Sequence, residues 1–250
     1  MPLLAVDWGY IGDNLFADIV LEGVWMTVRL SAFGMAFGIA LGVFFALMRL
    51  SKAWPLRGIA LFYIWFFRGT PLLVQIVFWF FALPQVWPEW LPTDGRMSAL
   101  QTAIFALAIN EGSYMTEIVR AGIQSVDSGQ TEAAKSLGMT YPTTMRRIVL
   151  PQALRVVIPP TGNEFIAMLK NSSLVSTISV SELFLVAKLQ YSSSLRYFEW
   201  LIIASFWYLV LTTLASILQA WLEARYGPNR YGNGDRSLWA RRLLFIRARD

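Results

Sequence analysis

Residues 30–48 read LSAFGMAFGIALGVFFALM, a run of 19 residues without a charge between Arg29 and Arg49. A helix needs about 20 apolar residues to cross the hydrocarbon core of a bilayer. The run carries three glycines at four-residue spacing: Gly34, Gly38 and Gly42. Such a stripe lets a second helix approach closely, although glycines scattered along a lipid-facing helix would give the same pattern. We therefore predict a first membrane span here, beginning near Gly23.

The composition of the whole chain agrees with a membrane protein. Of its 250 residues, 56% are hydrophobic and only 15% are charged, with a mean hydropathy of +0.50. Soluble domains carry about a quarter charged residues, so a soluble enzyme is nearly excluded. The chain also has no Cys and no His. This excludes disulfides, thiolate or imidazole metal sites, and Cys or Ser–His nucleophiles.

Four further apolar stretches predict an all-α integral membrane fold with five transmembrane helices. They cover residues 58–83, 98–119, 153–172 and 200–222. The 58–83 stretch contains Arg68, and Gly69-Thr70-Pro71 follows, so we expect this span to be broken or to restart there. Residues 174–190 are less apolar and predict a short interfacial or packed segment.

The basic residues predict the orientation, because cytoplasmic connections are enriched in Lys and Arg. Connections 84–97 and 173–197 together carry three bases, and the N-terminal stretch carries none. Connections 49–57 and 120–155 and the tail carry three, five and seven. We expect the N-terminus outside, the C-terminus in the cytoplasm, and no nucleic-acid partner. The predicted parts are an external amphipathic segment without a cleavable signal, a permeation domain and a basic cytoplasmic tail: 1–22, 23–225 and 226–250.

The cytoplasmic connection around residues 127–151 is longer than a turn requires, which is typical of a functional loop. Asp127 and Gln130 resemble a capping box and predict a helix start. Gly138 suits a helix C-terminus. Pro142 suits the first turn of a second short helix, which we expect Pro151 to close.

This connection carries a known motif. Glu132-Ala133-Ala134, three residues, Gly138, nine residues, Ile148, one residue and Leu150-Pro151 match E-A-A-x3-G-x9-I-x-L-P at every defined position. That pattern resembles the EAA loop of permease subunits of bacterial ABC importers. Three other segments are similar to permeases of the polar amino acid uptake family: FRGTPLLVQ (67–75), YMTEIVRAGIQSV (114–126) and LPQALRVVIPPTGNEFIAMLKNSSL (150–174).

The resemblance implies a type I ABC importer permease fold in the bacterial inner membrane. It implies a second permease subunit, a cytoplasmic ABC ATPase dimer that receives the EAA loop, an extracytoplasmic amino acid binding protein, and no cofactor in this chain. The sequence has no G-x-x-x-x-G-K-[ST] phosphate loop, so ATP hydrolysis is expected in a partner. Glu132 is the candidate for a charge-assisted contact, the two alanines for close approach and Gly138 for the bend. Alternatively, Glu132 only stabilises a helix N-terminus.

A charged side chain facing lipid raises the free energy of membrane insertion, so charges within the spans are expected to face protein, water or substrate. The third span holds Glu111 and Glu117, and helical spacing places Asn110, Tyr114 and Glu117 on one face. The fourth holds two further charges, Glu164 and Lys170. Glu164 follows Pro159-Pro160 and Gly162, which we expect to break the helix and free carbonyl groups toward a water-filled path.

A zwitterionic amino acid needs acceptors for its ammonium and donors for its carboxylate. Glu164, beside Asn163, is the candidate for the ammonium; Thr70, the backbone of Gly69–Pro71 and Arg68 are candidates for the carboxylate. The full set of path candidates is Arg68, Thr70, Gln75, Asn110, Glu111, Tyr114, Glu117, Asn163, Glu164, Lys170 and Ser172. The alternatives are a salt bridge from Lys170 to Glu117 or Glu164, snorkelling of Arg68 and Glu117, and simple capping by Ser172.

The leading hypothesis is therefore a non-enzymatic permease subunit of an ATP-driven importer for a polar amino acid of the glutamate, glutamine, arginine or histidine class. The alternative is a channel or secondary carrier that works without an ATPase. An intramembrane hydrolase would have to rely on Ser172 and Lys170, without His, Cys or a metal. The Arg-rich tail after Arg225 departs from the family pattern, and we expect it either to lie on the inner leaflet or to be solvated.

Overall fold

The computed structural model describes residues 6–86 and 97–226, and these form helices and no strand. The helices, in chain order, are α1 Trp8–Asn14, α2 Asp18–Leu50, α3 Trp54–Gly69, α4 Leu72–Val77, α5 Ala99–Gln124, α6 Ser128–Ser136, α7 Tyr141–Thr144, α8 Leu150–Asn171, α9 Leu183–Ser194 and α10 Tyr197–Tyr226. Short π and 3-10 turns extend α4 to Gln85, join α7 to α8, and follow α8 as far as Ile178. The predicted all-α class is confirmed. Most of the basic tail lies outside the described residues.

Among the described residues, α2 and α10 are each long and apolar enough to cross a membrane. The number rises to four if two bent pairs each count as one span, α3 with the α4 segment and the helix from Tyr141 with α9. Helix α5 has 26 residues and is about 39 Å long, which is enough to span a bilayer. It contains more polar residues than α2 and α10 and is therefore not counted with them. The five-span count stays a prediction.

Among the described residues, α2 and α5 make the most extensive contact of any two helices. All three glycines of the stripe are buried. A Cβ atom on Gly38 would lie 2.7 Å from Glu111 Cγ, and one on Gly112 of α5 would lie 2.5 Å from the hydroxyl of Tyr63. These distances are too short for a real contact, so the glycines allow α2 and α3 to pack directly on α5. The glycine stripe therefore lies where another helix approaches closely, as one of its two interpretations predicted.

Helix α8 does not follow the sequence prediction at its prolines. Pro151 does not close a helix; it lies in the first turn of α8, where a missing N–H is tolerated, and a π turn joins α7 to α8. Pro159-Pro160 does not break the helix either, since α8 continues to Asn171. The prolines therefore lie inside a helix that runs from the EAA loop into the middle of the bundle.

The segment expected to be interfacial or packed is packed. It forms α9, which contacts both α2 and α10. The carboxylate of Glu182, fully buried, caps α9 by accepting hydrogen bonds from Leu185 N at 2.7 Å and Phe184 N at 2.8 Å, and a third from Tyr208 Oη at 2.9 Å. Because a buried carboxylate needs such partners, this network fixes α9 against α10.

The N-terminal segment contains the short α1 and the first residues of α2. Helix α2 begins at Asp18, before the predicted start of the span near Gly23, and the boundary of the span itself stays a prediction. Asp7 forms a 2.9 Å salt bridge with Arg196, and Trp207 Nε1 donates to Leu15 O at 2.8 Å, which docks α1 on α10. The Arg196 guanidinium holds the pKa of Asp7 below its ordinary value. The carboxylate is therefore ionised at neutral pH.

Candidate functional site

The second apolar stretch breaks where the sequence predicted. Helix α3 ends at Gly69 and α4 begins at Leu72, with a bend of 103° between the two segments. Thr70 and Pro71 between them are extended, because proline disfavours helical geometry at the residue before it. The bend leaves a short stretch of irregular backbone beside the charged end of α3.

Two buried amides hold this bend in place. Gln75 Nε2 donates to Phe67 O and Thr70 O, each at 3.0 Å, and to Thr70 Oγ1 at 2.8 Å. Asn110 Nδ2 on α5 donates to Phe67 O at 3.0 Å and to Gln75 Oε1 at 3.1 Å. The carbonyls that the break leaves without helical partners are thereby satisfied, and the break is attached to α5.

A cavity of about 530 Å³ lies against the bend. Its walls come from the end of α3, the break, the middle of α5 and the second half of α8. The residues that line it are Arg68, Gly69, Thr70, Pro71, Leu72, Asn110, Glu111, Tyr114, Glu164, Ala167 and Asn171. Glu111 is the thirteenth of the 26 residues of α5, which places the cavity halfway along that helix.

The cavity presents both signs of charge. The guanidinium of Arg68 lies 5.0 Å from the centroid of the Tyr114 ring, within the range of a cation–π contact. Glu111 is only 5% exposed, and its Oε1 has no hydrogen-bond partner among the described residues. Glu164, half-buried, faces the same space. A buried carboxyl oxygen without a partner is costly, and a cationic ligand would satisfy it.

Six of the predicted path residues line this cavity: Arg68, Thr70, Asn110, Glu111, Tyr114 and Glu164. Gln75 does not line the cavity, and its amide bonds to the backbone of Phe67 and Thr70 instead. Glu117 instead forms a 2.6 Å salt bridge with Arg120. Asn163 accepts from Gln219 at 3.0 Å, on the side of α10.

The last two candidates lie near the C-terminal end of α8. Lys170 is exposed, and no salt bridge joins it to Glu117, Glu164 or any other described residue. Ser172 is buried and donates to Leu169 O at 2.8 Å. This local bond is the capping alternative considered for Ser172.

Sequence reasoning missed Ala167 as a lining residue. Ala167 and Asn171 lie three and seven positions after Glu164 and therefore share its helix face. This spacing from Glu164 could have identified Ala167.

The EAA loop has the geometry of a capped helix and a sharp turn. Asp127 caps α6 by accepting from Gly129 N at 2.8 Å. At the other end Gly138 has φ +73°, Gly138 N donates to Lys135 O at 2.9 Å and Met139 N to Ala134 O at 3.0 Å. These two bonds form a Schellman motif, which favours glycine at the left-handed position.

The motif residues divide between the surface and the interior. Glu132, Ala133, Leu150 and Pro151 are exposed, Ala134 is buried and Ile148 is half-buried. Two large side chains next to the turn are also exposed, Leu137 by 82% and Tyr141 by 69%. An apolar surface of this kind beside an exposed carboxylate is suited to contact with another protein.

Residues 38–228 match the family of binding-protein-dependent transport system inner membrane components. The chain belongs to this family. The permease is 40% identical over 251 residues to the arginine transport system permease protein ArgU of Corynebacterium glutamicum, covering 97% of this chain and 78% of ArgU. It is 40% identical over 218 residues to the probable amino-acid permease protein YxeN of Bacillus subtilis, covering 87% and 95% of the two chains.

Solved structures agree. The permease aligns with a chain of an amino acid ABC transporter with histidines at a TM-score of 0.79 and 39% identity, covering 89% of this chain and all of the other. It also aligns with a chain of the inward-facing methionine ABC transporter MetNI at a TM-score of 0.67 and 19% identity, covering 84% and 97%, which shows a shared fold. The resemblance predicted from the EAA loop and the type I ABC importer permease fold are confirmed.

Proposed function

We propose that this permease imports a polar amino acid across the bacterial inner membrane, and that the substrate passes through the cavity beside Arg68 and Glu164. The observation that carries the proposal is the pairing of both charge signs in a cavity halfway along α5. Such an arrangement suits a zwitterion, which needs a carboxylate partner and an ammonium partner in a dry place. Membership of a binding-protein-dependent family favours this function over an independent carrier or channel.

Each end of the substrate has a candidate partner. The guanidinium of Arg68 and the unwound backbone at Thr70 would receive the substrate carboxylate, because a planar guanidinium matches carboxylate geometry. Glu164 and the unpaired oxygen of Glu111 would receive ammonium or guanidinium groups. Two carboxyl groups against one guanidinium favour a cationic amino acid, and one of the relatives is an arginine permease.

The chain would receive energy through the EAA loop. The exposed Glu132, Ala133, Leu137 and Tyr141 form the surface proposed to contact an ABC ATPase dimer. Beyond the loop, α7, the π turn and α8 continue to the cavity face that carries Glu164. The further partners are a second permease subunit and an extracytoplasmic binding protein. The permease itself carries out no chemical step, and its N-terminus is outside and its C-terminus in the cytoplasm.

Co-purification from native membranes tests the assembly. We expect an ABC ATPase and a second permease copy or paralogue to accompany the tagged chain, and competition among polar amino acids to show highest affinity for cationic ones. Isolation of the permease without an ATPase, together with ion-coupled uptake, would contradict the proposal.

We expect Gly138→Asp to leave the protein inserted but uncoupled from ATP hydrolysis. A residue with a Cβ in left-handed backbone is strained by about 1–2 kcal/mol, which displaces the turn between α6 and α7. Gly138→Ala should act similarly, whereas Ser136→Asp, an added charge at ordinary helical geometry two residues earlier, should retain coupling. The measurement is substrate-stimulated ATPase activity of the reconstituted complex. Normal stimulation in Gly138→Asp would show that the turn is not required.

A further inference from the structure

Helix α10 reaches across to α8 at the proline pair through one side chain, Gln219. Its Nε2 lies 3.3 Å from Pro159 O and 3.0 Å from Asn163 Oδ1 on α8. It also lies 2.8 Å from Glu223 Oε1 on its own helix. Pro159 and Asn163 are four residues apart, so Gln219 spans one turn of α8.

That turn is the weakest place in α8. Pro159 and Pro160 have no N–H, so the carbonyls of Arg155 and Val156 lose their usual helical partners. Prolines inside a helix are the commonest cause of kinks. Gly162 follows within the same turn and adds backbone freedom. Yet α8 runs through this turn as a helix.

The two helices are matched at this contact. A Cβ atom on Gly162 would lie 2.6 Å from Gln219 Cγ, so only glycine leaves room for the glutamine chain to lie on α8. The hydrogen bonds and the missing side chain therefore occur together, at the same turn as the prolines.

The contact lies along α8 between the EAA loop and the cavity. The EAA loop lies N-terminal to the prolines, and the cavity-lining Glu164, Ala167 and Asn171 lie C-terminal to them. A bend at residues 159–163 would absorb movement that passes along α8 from one end to the other. The proposed function requires such movement to travel from the ATPase to the cavity.

We infer that Gln219 is a positioning residue that clasps α8 to α10 and makes the proline turn rigid enough to transmit movement from the EAA loop to the cavity. The transmission of movement rests on the proposed function, whereas the contact that joins Gln219 to α8 does not. Gln219 need not contact the substrate, because it acts through Pro159 and Asn163.

The test is the number of amino acid molecules imported per ATP hydrolysed by the reconstituted complex. Gln219→Met keeps the length of the side chain but removes the donor, and we expect this ratio to fall by about fivefold or more, because the hydrogen bonds to Pro159 O and Asn163 Oδ1 are lost. Ser216→Met is the matched control. Its hydroxyl donates only to Thr212 O of its own helix, and its ratio should stay at the wild-type value.

A second variant separates hydrogen bonding from packing. Gly162→Ala should displace Gln219 and lower the ratio in the same way. Adding Gln219→Ala to Gly162→Ala relieves the overlap but does not restore the hydrogen bonds, so the ratio should remain low. Recovery in the double variant would show that only packing mattered.

The contact between Gln219 and α8 can also be tested without measuring transport. The chain has no cysteine, so cysteines placed at the exposed Gln152 on α8 and Leu209 on α10 can be spin-labelled selectively in a complex with cysteine-free partners. We expect the distance distribution between the labels to broaden in Gln219→Met but not in Ser216→Met.

The outcomes separate the two proposals. Unchanged import per ATP in Gln219→Met, or lower thermal stability with an unchanged ratio, would overturn the positioning role and leave the proposed function standing. An unchanged label distribution would overturn the clasp itself. If the wild-type complex imports nothing at the expense of ATP, the proposed function fails, and the transmission role fails with it.

Discussion

Replacing Gly42 with leucine should prevent the permease from folding. A Cβ atom on Gly42 would overlap the Cβ of Met115 and would lie 2.9 Å from Met115 C and 3.1 Å from Thr116 N. The last two are backbone atoms of α5, which cannot rotate away as a flexible side chain could. Overpacking of this kind costs about 3 kcal/mol or more, because α2 and α5 would have to separate.

Gly58→Leu is the matched control, since Gly58 lies in α3 and a Cβ there meets no atom within 4 Å. We expect a single symmetrical size-exclusion peak for this control. Gly42→Leu should give aggregated or degraded material at the same expression level. A monodisperse Gly42→Leu protein with wild-type thermal stability would contradict the close packing of α2 on α5.

Removing the charge of Glu164 or of Arg68 should strongly lower the rate of amino acid transport. A charge-assisted hydrogen bond is worth about 1.5–3 kcal/mol, so Glu164→Gln should lower kcat/KM for a cationic amino acid by roughly 10- to 100-fold. Arg68→Gln should lower uptake of every amino acid by a similar factor, because all of them carry the carboxylate that Arg68 is proposed to bind.

Glu22→Gln provides the control, because Glu22 is an exposed carboxylate on α2 that does not line the cavity. Uptake in this variant should match the wild type once complex amounts are equalised. The measurement is the initial rate of labelled amino acid uptake into proteoliposomes. Wild-type rates in both Glu164→Gln and Arg68→Gln would place the translocation path elsewhere.

Sequence patterns predicted the features that depend on local chemistry. The break after Gly69 follows from Pro71 and its effect on the residue before it, and Gly138 follows from the need for left-handed backbone. The glycine stripe of α2 predicted a close approach, and the structure supplies the partner, α5. These features are encoded within a few residues, so one sequence is enough to find them.

Tertiary context decided the cases in which the sequence failed. The prolines of α8 were expected to end or break helices, but they lie inside one that α10 supports through Gln219. Gln75 stays a path candidate, and the structure adds that its amide satisfies the carbonyls at the break. Residues 174–190 were predicted only to be interfacial or packed, and the sequence did not show that the Glu182 carboxylate caps α9 and binds Tyr208. Gln219 and Tyr208 are far in sequence from the residues that they bind, so no local pattern reveals these two contacts.

The most direct test of the account is amino acid uptake by the reconstituted permease complex with its ATPase and binding protein. We predict that uptake requires internal ATP and external loaded binding protein, and that Gly138→Asp removes it while leaving the complex assembled. Uptake that proceeds without ATP or binding protein, driven by an ion gradient through this chain alone, would contradict the account.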